Sequence, residues 1–372
     1  MFLTEKNFLK KIIKCYKTEN PLIEVIRNSK KPVLIYGAGV YAFVLNSYLN
    51  ALKINVQNFL VDELPPSQKS FSNVSIAKLE EFLPTIGDYI LLIGIANYPT
   101  ILPKLAKKGI SNYFILDVPD FLNIPKPFLD YNFVEEKAPL FTEAYNLYED
   151  DISKHTFIAA INTKITHEIK YLKPYVKYDN LYFPSSEFQI SSKETLIDAG
   201  GYNGDTIFDF IKISNGRFNK IISLEPNYKM FLELKESIKN IELKKHIFPL
   251  MLGAWDTKTQ LNFENTELNI DSKVSESGKN SIQVDRIDNI INSFDEKLSL
   301  IKMDINGSEF NALKGCEKTI ENHKPNIAVK MHMKKDFYRI PMLLKKINPR
   351  IKLYLRQRNH FSLTLMLYAR FS

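Results

Sequence analysis

The segment Asp198-Ala199-Gly200-Gly201-Tyr202-Asn203-Gly204-Asp205-Thr206 follows the apolar run Thr195-Leu196-Ile197 and precedes the helical spacing Ile207, Phe208, Phe210, Ile211. That order reads as strand, glycine loop and helix start, which commits this part of the chain to a Rossmann-like α/β unit. Glycines at such a turn let a ligand approach the backbone, and the helix start offers amide groups without partners. The acids narrow the ligand. A pyrophosphate would meet Asp198 and Asp205 as like charges, whereas S-adenosylmethionine has no phosphate and brings an ammonium and a sulfonium that carboxylates attract. Taken alone, the glycines also fit an ordinary tight turn.

A second apolar run, Lys220-Ile221-Ile222-Ser223-Leu224, ends in Glu225-Pro226, about twenty residues beyond the loop, where Rossmann-like units carry a ribose-binding carboxylate. Glu225 is the expected ribose ligand. Pro226 and Asn227 start the next helix, whose apolar face is Met230, Phe231, Leu234, Ile238 and Ile241. The donor site expected from these residues comprises Asp198, Gly200, Gly201, Asn203, Gly204, Asp205 and Glu225.

Further along come Met251-Leu252-Gly253-Ala254, Val284, Ile287-Asp288, Ile301-Lys302-Met303-Asp304-Ile305-Asn306-Gly307-Ser308-Glu309 and Leu313-Lys314-Gly315. With the glycine loop and Leu224-Glu225-Pro226, this ordered series resembles the FkbM-type methyltransferases over residues 190–370. Lys324-Pro325, His332, Ile340-Pro341, Tyr354-Leu355-Arg356 and Leu367-Tyr368-Ala369 fit the same pattern. The resemblance implies a class I S-adenosylmethionine-dependent O-methyltransferase domain at 193–372. Many such enzymes act on a hydroxyl of a sugar in a glycan or natural product. One departure stands out: where the family usually has glutamate, this chain has Asn306.

The run Leu298 to Met303 reads as a central strand ending at Asp304, and open α/β sheets bind ligands at the carboxyl ends of their strands. Asp304 is therefore expected in the crevice, with capping of the helix from Ser308 to Lys314 as its alternative role. Pro325 to Lys330 is the next strand and delivers His332 to the same rim. Methyl transfer is an in-line displacement, and a sugar hydroxyl gains from a positioned proton acceptor. His332 is the expected acceptor, with Asp304 orienting donor or substrate; a histidine satisfied by backbone groups is the alternative. Ala254 and Trp255 join the expected donor site, Trp255 against the adenine or, alternatively, in a core.

The tail alternates Ile351, Leu353, Leu355 and then Leu363, Leu365, Leu367 against polar or partly polar neighbours. Two half-buried strands follow, joined by a turn at 357–361, so the class I sheet ends in an antiparallel hairpin. Arg356, Arg358 and His360 are read as an exposed charged edge, with contact to an anionic acceptor as the alternative.

The amino-terminal third repeats the theme. Lys31 to Tyr36 is a buried-strand run, Gly37-Ala38-Gly39-Val40-Tyr41-Ala42 reads GxGxxA, and Asp62 closes the next strand, Phe59-Leu60-Val61. Further strands at Tyr89 to Ile95 and Tyr113 to Leu116, with a helix from Ile101 to Lys107, complete a small Rossmann-like domain at 1–118. It resembles the nucleotide-sugar-binding front domains of some sugar-modifying enzymes, a likeness resting on Gly37, Gly39 and Asp62. The competing reading is a scaffold that packs or mediates assembly. Residues 119–192, rich in proline and aromatics, are expected to be a connector with helices covering the larger domain.

Composition removes several classes. The chain has 372 residues and is 45% hydrophobic, enough for two domain cores. The most apolar stretch, Tyr89 to Ala106, is interrupted by Asn97, Pro99, Pro103 and Lys104, so no transmembrane segment is expected. Met1 to Tyr16 carries Glu5 and four lysines and reads as a short amphipathic helix rather than a signal peptide, making the cytoplasm the expected location. Cys15 and Cys316 stand apart and the six histidines are scattered, so neither a disulfide framework nor a metal site is expected. The net charge of +8 is spread among acids without a basic block. It would attract a sugar-nucleotide, a lipid-linked glycan, an acidic polysaccharide or RNA alike, so charge does not choose between them, and without a basic block no nucleic-acid partner is expected. A homo-oligomer is compatible with the sequence. Two rival functions stay open. One is a nicotinamide-dependent sugar-nucleotide oxidoreductase using the amino-terminal loop, which lacks a Tyr-x-x-x-Lys relay. The other is a donor-binding scaffold in which Asn306 marks lost chemistry.

Overall fold

The structure is a computed structural model that describes residues 2–16, 19–65, 70–71, 73–116, 129–264, 273–274, 280–331, 333–359 and 364–371. The amino-terminal sheet contains β1 (Val33–Tyr36), β2 (Val56–Val61), β3 (Ser70–Phe71), β4 (Val74–Lys78) and β5 (Ile90–Ile93), in the order β3-β4-β2-β1-β5. Its pairings are parallel except β3 with β4. The apolar run of β1 is buried on both faces, as a central parallel strand requires. Val33 and Ile35 enter one apolar cluster while Leu34 and Tyr36 enter another. The expected strand at Tyr113 to Leu116 forms only a bridge from Phe114 to Leu92.

The carboxyl-terminal sheet contains β6 (Thr195–Ala199), β7 (Lys220–Leu224) and β8 (Ile247–Leu250). Next in the chain, β9 (Gly253–Ala254), β10 (Thr259–Glu264), β11 (Lys273–Val274) and β12 (Asn280–Asp285) form a separate four-stranded sheet. The main sheet resumes with β13 (Leu300–Met303), β14 (Asn326–Lys330), β15 (Lys352–Gln357) and β16 (Leu365–Arg370). Its order is β8-β7-β6-β13-β14-β16-β15, with β16 antiparallel to both neighbours. This is the class I methyltransferase arrangement, and the expected terminal hairpin is present. The inserted sheet was not expected. Its strand Thr259–Glu264, TQLNFE, alternates polar and apolar residues too weakly to announce a core face.

A helical layer covers one face of the large sheet. Helices Ala138–Asn146 and Asp151–Thr166 bring Phe141 and Phe157 into the same core as Ile197, Ile301 and Leu353. The first helix, Glu5–Leu9, packs here too. Its Phe8 ring lies 6.3 Å from Phe141 and 6.4 Å from both Tyr145 and Phe157. Among the described residues no helix is long and apolar enough to cross a membrane.

The terminal strand corrects one expectation. Arg356 and Arg358 are 6% and 3% exposed, so they are not a charged edge. Arg356 pairs with Asp150 at 2.6 Å and Glu187 at 2.8 Å, and Arg358 also binds Glu187. Both acids come from the connector, so the hairpin is charge-clamped to the segment that covers it. His360 lies outside the described residues.

Candidate active site

The carboxyl ends of β6, β7, β13 and β14 open onto a cavity of about 390 Å³. Its lining includes Gly200, Tyr202, Asp205, Thr206, Glu225, Pro226, Lys302, Asp304, Asn306 and Lys330. Three of these side chains are acidic and two are lysines.

The glycine loop is shaped by close approach. Gly200 has φ +88°, and a Cβ there would fall 2.1 Å from the Asp304 carbonyl oxygen. A Cβ on Gly201 would fall 2.2 Å from Ser223 Oγ. The amides of both residues donate to the Leu224 carbonyl, at 3.0 and 2.9 Å, fastening the loop over β7. Gly204 precedes the helix Asp205–Ile213, where the Asp205 amide donates to Asn203 Oδ1 and the Thr206 amide to Asp205 Oδ1.

Asp198 sits beneath the loop rather than in it. It is fully buried, paired with Lys302 Nζ at 2.9 Å, and accepts from Ser223 Oγ at 2.9 Å. Lys302 also donates to the Gly200 carbonyl at 2.6 Å and lies 4.9 Å from the Tyr182 ring centroid. Burial alone would lower the Lys302 ammonium, but the Asp198 charge outweighs it and raises it. The acid expected to meet the ligand thus holds the lysine that shapes the loop.

Glu225 reaches the cavity at the end of β7. Its Oε2 and Oε1 accept from the Tyr202 and Asn227 amides, each at 2.8 Å. Burial pushes its carboxyl up to about 7 despite these amides. Both oxygens are fixed in orientation by the backbone that frames the loop.

On the far side, Asp304 Oδ2 accepts from Tyr182 Oη at 2.7 Å and Lys330 Nζ at 2.9 Å. Burial and the neighbouring Asp304 carboxylate push the Tyr182 phenol well up, so it stays a donor. Asn306 adopts φ +53°, followed by Gly307 at +93°. Buried Glu309 accepts from the Ile305 and Gly307 amides at 2.8 and 2.9 Å, pinning that turn. His332 lies outside the described residues.

The expected residues do not all converge. Gly200, Asp205, Glu225 and Asp304 line the cavity; Asp198, Gly201, Asn203 and Gly204 support the loop behind it. Ala254 is buried in β9, and Trp255 packs against the cluster of Phe263, Ile282 and Val284. Phe263, not Trp255, is the aromatic of that cluster that reaches the cavity. In the small domain, a Cβ on Gly37 (φ +120°) would lie 2.7 Å from the Gly94 carbonyl. Asp62 accepts from Tyr36 Oη at 2.7 Å and Lys104 at 2.6 Å. Neither Gly37, Gly39 nor Asp62 lines the cavity, yet Val40, Tyr41, Val44 and Ala96 of that domain do. Lys302, Lys330 and Tyr182 were missed as site residues. A lysine inside an apolar central strand, two residues before Asp304 and so on the same face, is the signal that could have found the first. Among the described residues no cluster of histidine, cysteine and acids stands ready for a metal.

Residues 198–360 match the family profile of the methyltransferase FkbM domain. This part of the chain is an FkbM methyltransferase domain. The crystal structure of methyltransferase FkbM from Methylobacillus flagellatus KT is similar over 95% of this chain and 94% of that one, with 21% identity and a TM-score of 0.63. At that identity the likeness concerns the fold, which here includes both domains. Smaller overlaps occur with Aeropyrum pernix fibrillarin in complex with natively bound S-adenosyl-L-methionine (13% identity, TM-score 0.31, 49% of this chain and 69% of that one). A similar overlap occurs with the SAH-bound Podospora anserina methyltransferase PaMTH1 (12%, 0.29, 48% and 72%). No curated protein matches the chain.

Proposed function

We propose that the FkbM domain binds S-adenosylmethionine in this cavity and methylates a hydroxyl oxygen of a sugar. The observation that carries the reading is Glu225: a cavity-lining carboxylate, both oxygens fixed by backbone amides, beside a glycine loop with no room for a Cβ. A ribose diol is the natural partner of such a carboxylate. Gly200 and Tyr202 frame the same side, and Asp205 adds negative charge for the donor's ammonium. When bound, S-adenosylmethionine supplies an electrophilic methyl carbon on a sulfonium.

The chain's own residues orient and polarise. Lys302, held by Asp198, fixes the Gly200 carbonyl and with it the loop. Asp304, whose Oδ2 accepts from Tyr182 and Lys330, takes the proposed role of orienting a substrate hydroxyl. His332 keeps the proposed role of proton acceptor. The same reading puts the reaction in surface-glycan assembly in the cytoplasm, on a sugar-nucleotide or lipid-linked acceptor.

Incubating the protein with trideuteriomethyl S-adenosylmethionine and a set of methyl glycosides, followed by mass spectrometry, tests the proposal. Label on a glycoside oxygen supports it. Donor binding without label on any hydroxyl favours the donor-binding scaffold, and binding of NADPH in place of the donor moves the activity to the amino-terminal loop.

A further inference from the structure

The cavity has two walls of different chemistry and different origin. The carboxyl-terminal sheet contributes Asp304, Lys330 and Asn306, all able to hydrogen-bond. The small domain lines the same cavity through Val40 and Val44, in the first turns of the helix Val40–Ala51, and through Ala96, in the segment after β5. Tyr41 lines it as well, its hydroxyl donating to the Leu116 carbonyl at 2.7 Å, so the small domain's share of the lining is largely apolar. Val40 is 55% exposed, an apolar side chain displayed at a ligand-sized opening rather than packed away.

The small domain's own nucleotide-like features point inward instead. Gly37 is required by the Gly94 carbonyl, and the Asp62 carboxylate is engaged by Tyr36 and Lys104. A Cβ on Gly39 would meet nothing within 4 Å, so open space lies beside it. What this domain presents to the cavity is a short apolar surface at the start of a helix.

We infer that the amino-terminal domain is the acceptor-side wall of the transferase cavity and sets which sugar is accepted. The inference rests on the donor-site reading above. A pyranose placed between the walls turns its hydroxyl edge to Asp304, Lys330 and Asn306 and its C–H face to Val40, Val44 and Ala96. The largely apolar wall rewards a ring substituent that is itself apolar and penalises a charged one, which would lose its hydration without a partner. The expected order of preference is 6-deoxyhexoside over hexoside over hexuronate. Selectivity thus lies in a domain other than the one that binds the donor.

Three probes that differ only at C6 test this: methyl α-D-rhamnopyranoside, methyl α-D-mannopyranoside and the uronate of the latter, each titrated calorimetrically into protein saturated with S-adenosylhomocysteine. The wild type is expected to bind the rhamnoside about tenfold more tightly than the mannoside, the scale of a methyl-sized contact in an apolar site, and the uronate least. Val40→Lys, a change at an exposed position, is expected to weaken the rhamnoside about tenfold and to improve the uronate. S-adenosylhomocysteine affinity stays unchanged. If none of the glycosides binds, or if Val40→Lys and Ala96→Arg leave the order as it was, the inference is wrong while the donor site stands. If S-adenosylhomocysteine itself does not bind the wild type, the donor reading has failed and this inference falls with it.

Discussion

The two glycine loops of this chain look alike in sequence and differ in what surrounds them. At 200–204 the loop is pressed against β13, tied to β7, and bordered by a carboxylate, Glu225, that faces a cavity. At 37–39 the first glycine is needed for close packing on Gly94, the second meets nothing, and the following acid, Asp62, is neutralised by Lys104. Glycines report where a backbone must pass closely. The charge left facing a cavity reports where a ligand goes.

Substitutions can break this comparison, beginning with the glycines themselves. Gly200→Ala places a methyl 2.1 Å from a carbonyl oxygen at positive φ. It is expected to destabilise the protein by about 4 kcal/mol or more and to abolish donor binding. Gly39→Ala, with open space at an extended backbone, is expected to change stability by less than about 0.5 kcal/mol. Chemical denaturation of both variants checks the contrast. Equal losses would mean that the two loops are equivalent after all.

Next in size is the buried ion pair. Lys302→Met leaves Asp198 charged and without its partner at a site with no solvent, an expected loss of about 3–5 kcal/mol in urea unfolding. Adding Asp198→Leu should recover part of that stability but not donor affinity, because the Gly200 carbonyl remains unheld. A double variant that binds the donor normally would contradict the positioning role given to Lys302.

Glu225 gives a pH-dependent prediction. Its folded carboxyl, near 7, lies above the ordinary value of 4.5 because of burial. A raised acid favours the folded state most at low pH, so this group's contribution to stability declines as pH rises from about 4.5 to about 7. Donor affinity should move the opposite way across the same window, since the ionised carboxylate is the better acceptor for a ribose diol. Glu225→Gln is expected to weaken the donor about tenfold, about 1.4 kcal/mol, and to flatten that pH profile. A profile unaltered in the variant would assign the titration to another group.

The smallest effect belongs to the other loop. Asp62→Asn removes a partly exposed pair with Lys104 and is expected to cost under about 1 kcal/mol with no change in donor affinity. Loss of donor binding in this variant would restore a ligand role to the amino-terminal crevice.

Much of this arrangement was legible in the chain, for identifiable reasons. Runs such as Lys220 to Leu224 and Leu298 to Met303 are too apolar to be anything but buried strands, and the acids at their ends mark the ligand-facing rim. Glu225 and Asp304, read in this way, both line the cavity. Asp198 was found with the wrong role, because its burial depends on Lys302, which comes from a strand over a hundred residues away. Tyr182 carries no local pattern at all; its place on Asp304 exists only after the connector folds over the sheet. The charged tail misled for a similar reason, since the acids that bury Arg356 and Arg358 lie in Asp150 and Glu187 of the connector. The exposed side chain of Val40, which lines the cavity, directly follows the glycines whose spacing points toward a nucleotide.

The cavity at the ends of β6 and β7 is proposed to hold S-adenosylmethionine through Glu225. Calorimetric titration of wild type and Glu225→Ala with S-adenosylmethionine at pH 8 tests it most directly. The account predicts one site per chain in the wild type and at least a hundredfold weaker binding in the variant, about 2.7 kcal/mol. Equal affinity in the two proteins, or no binding to the wild type, would contradict it.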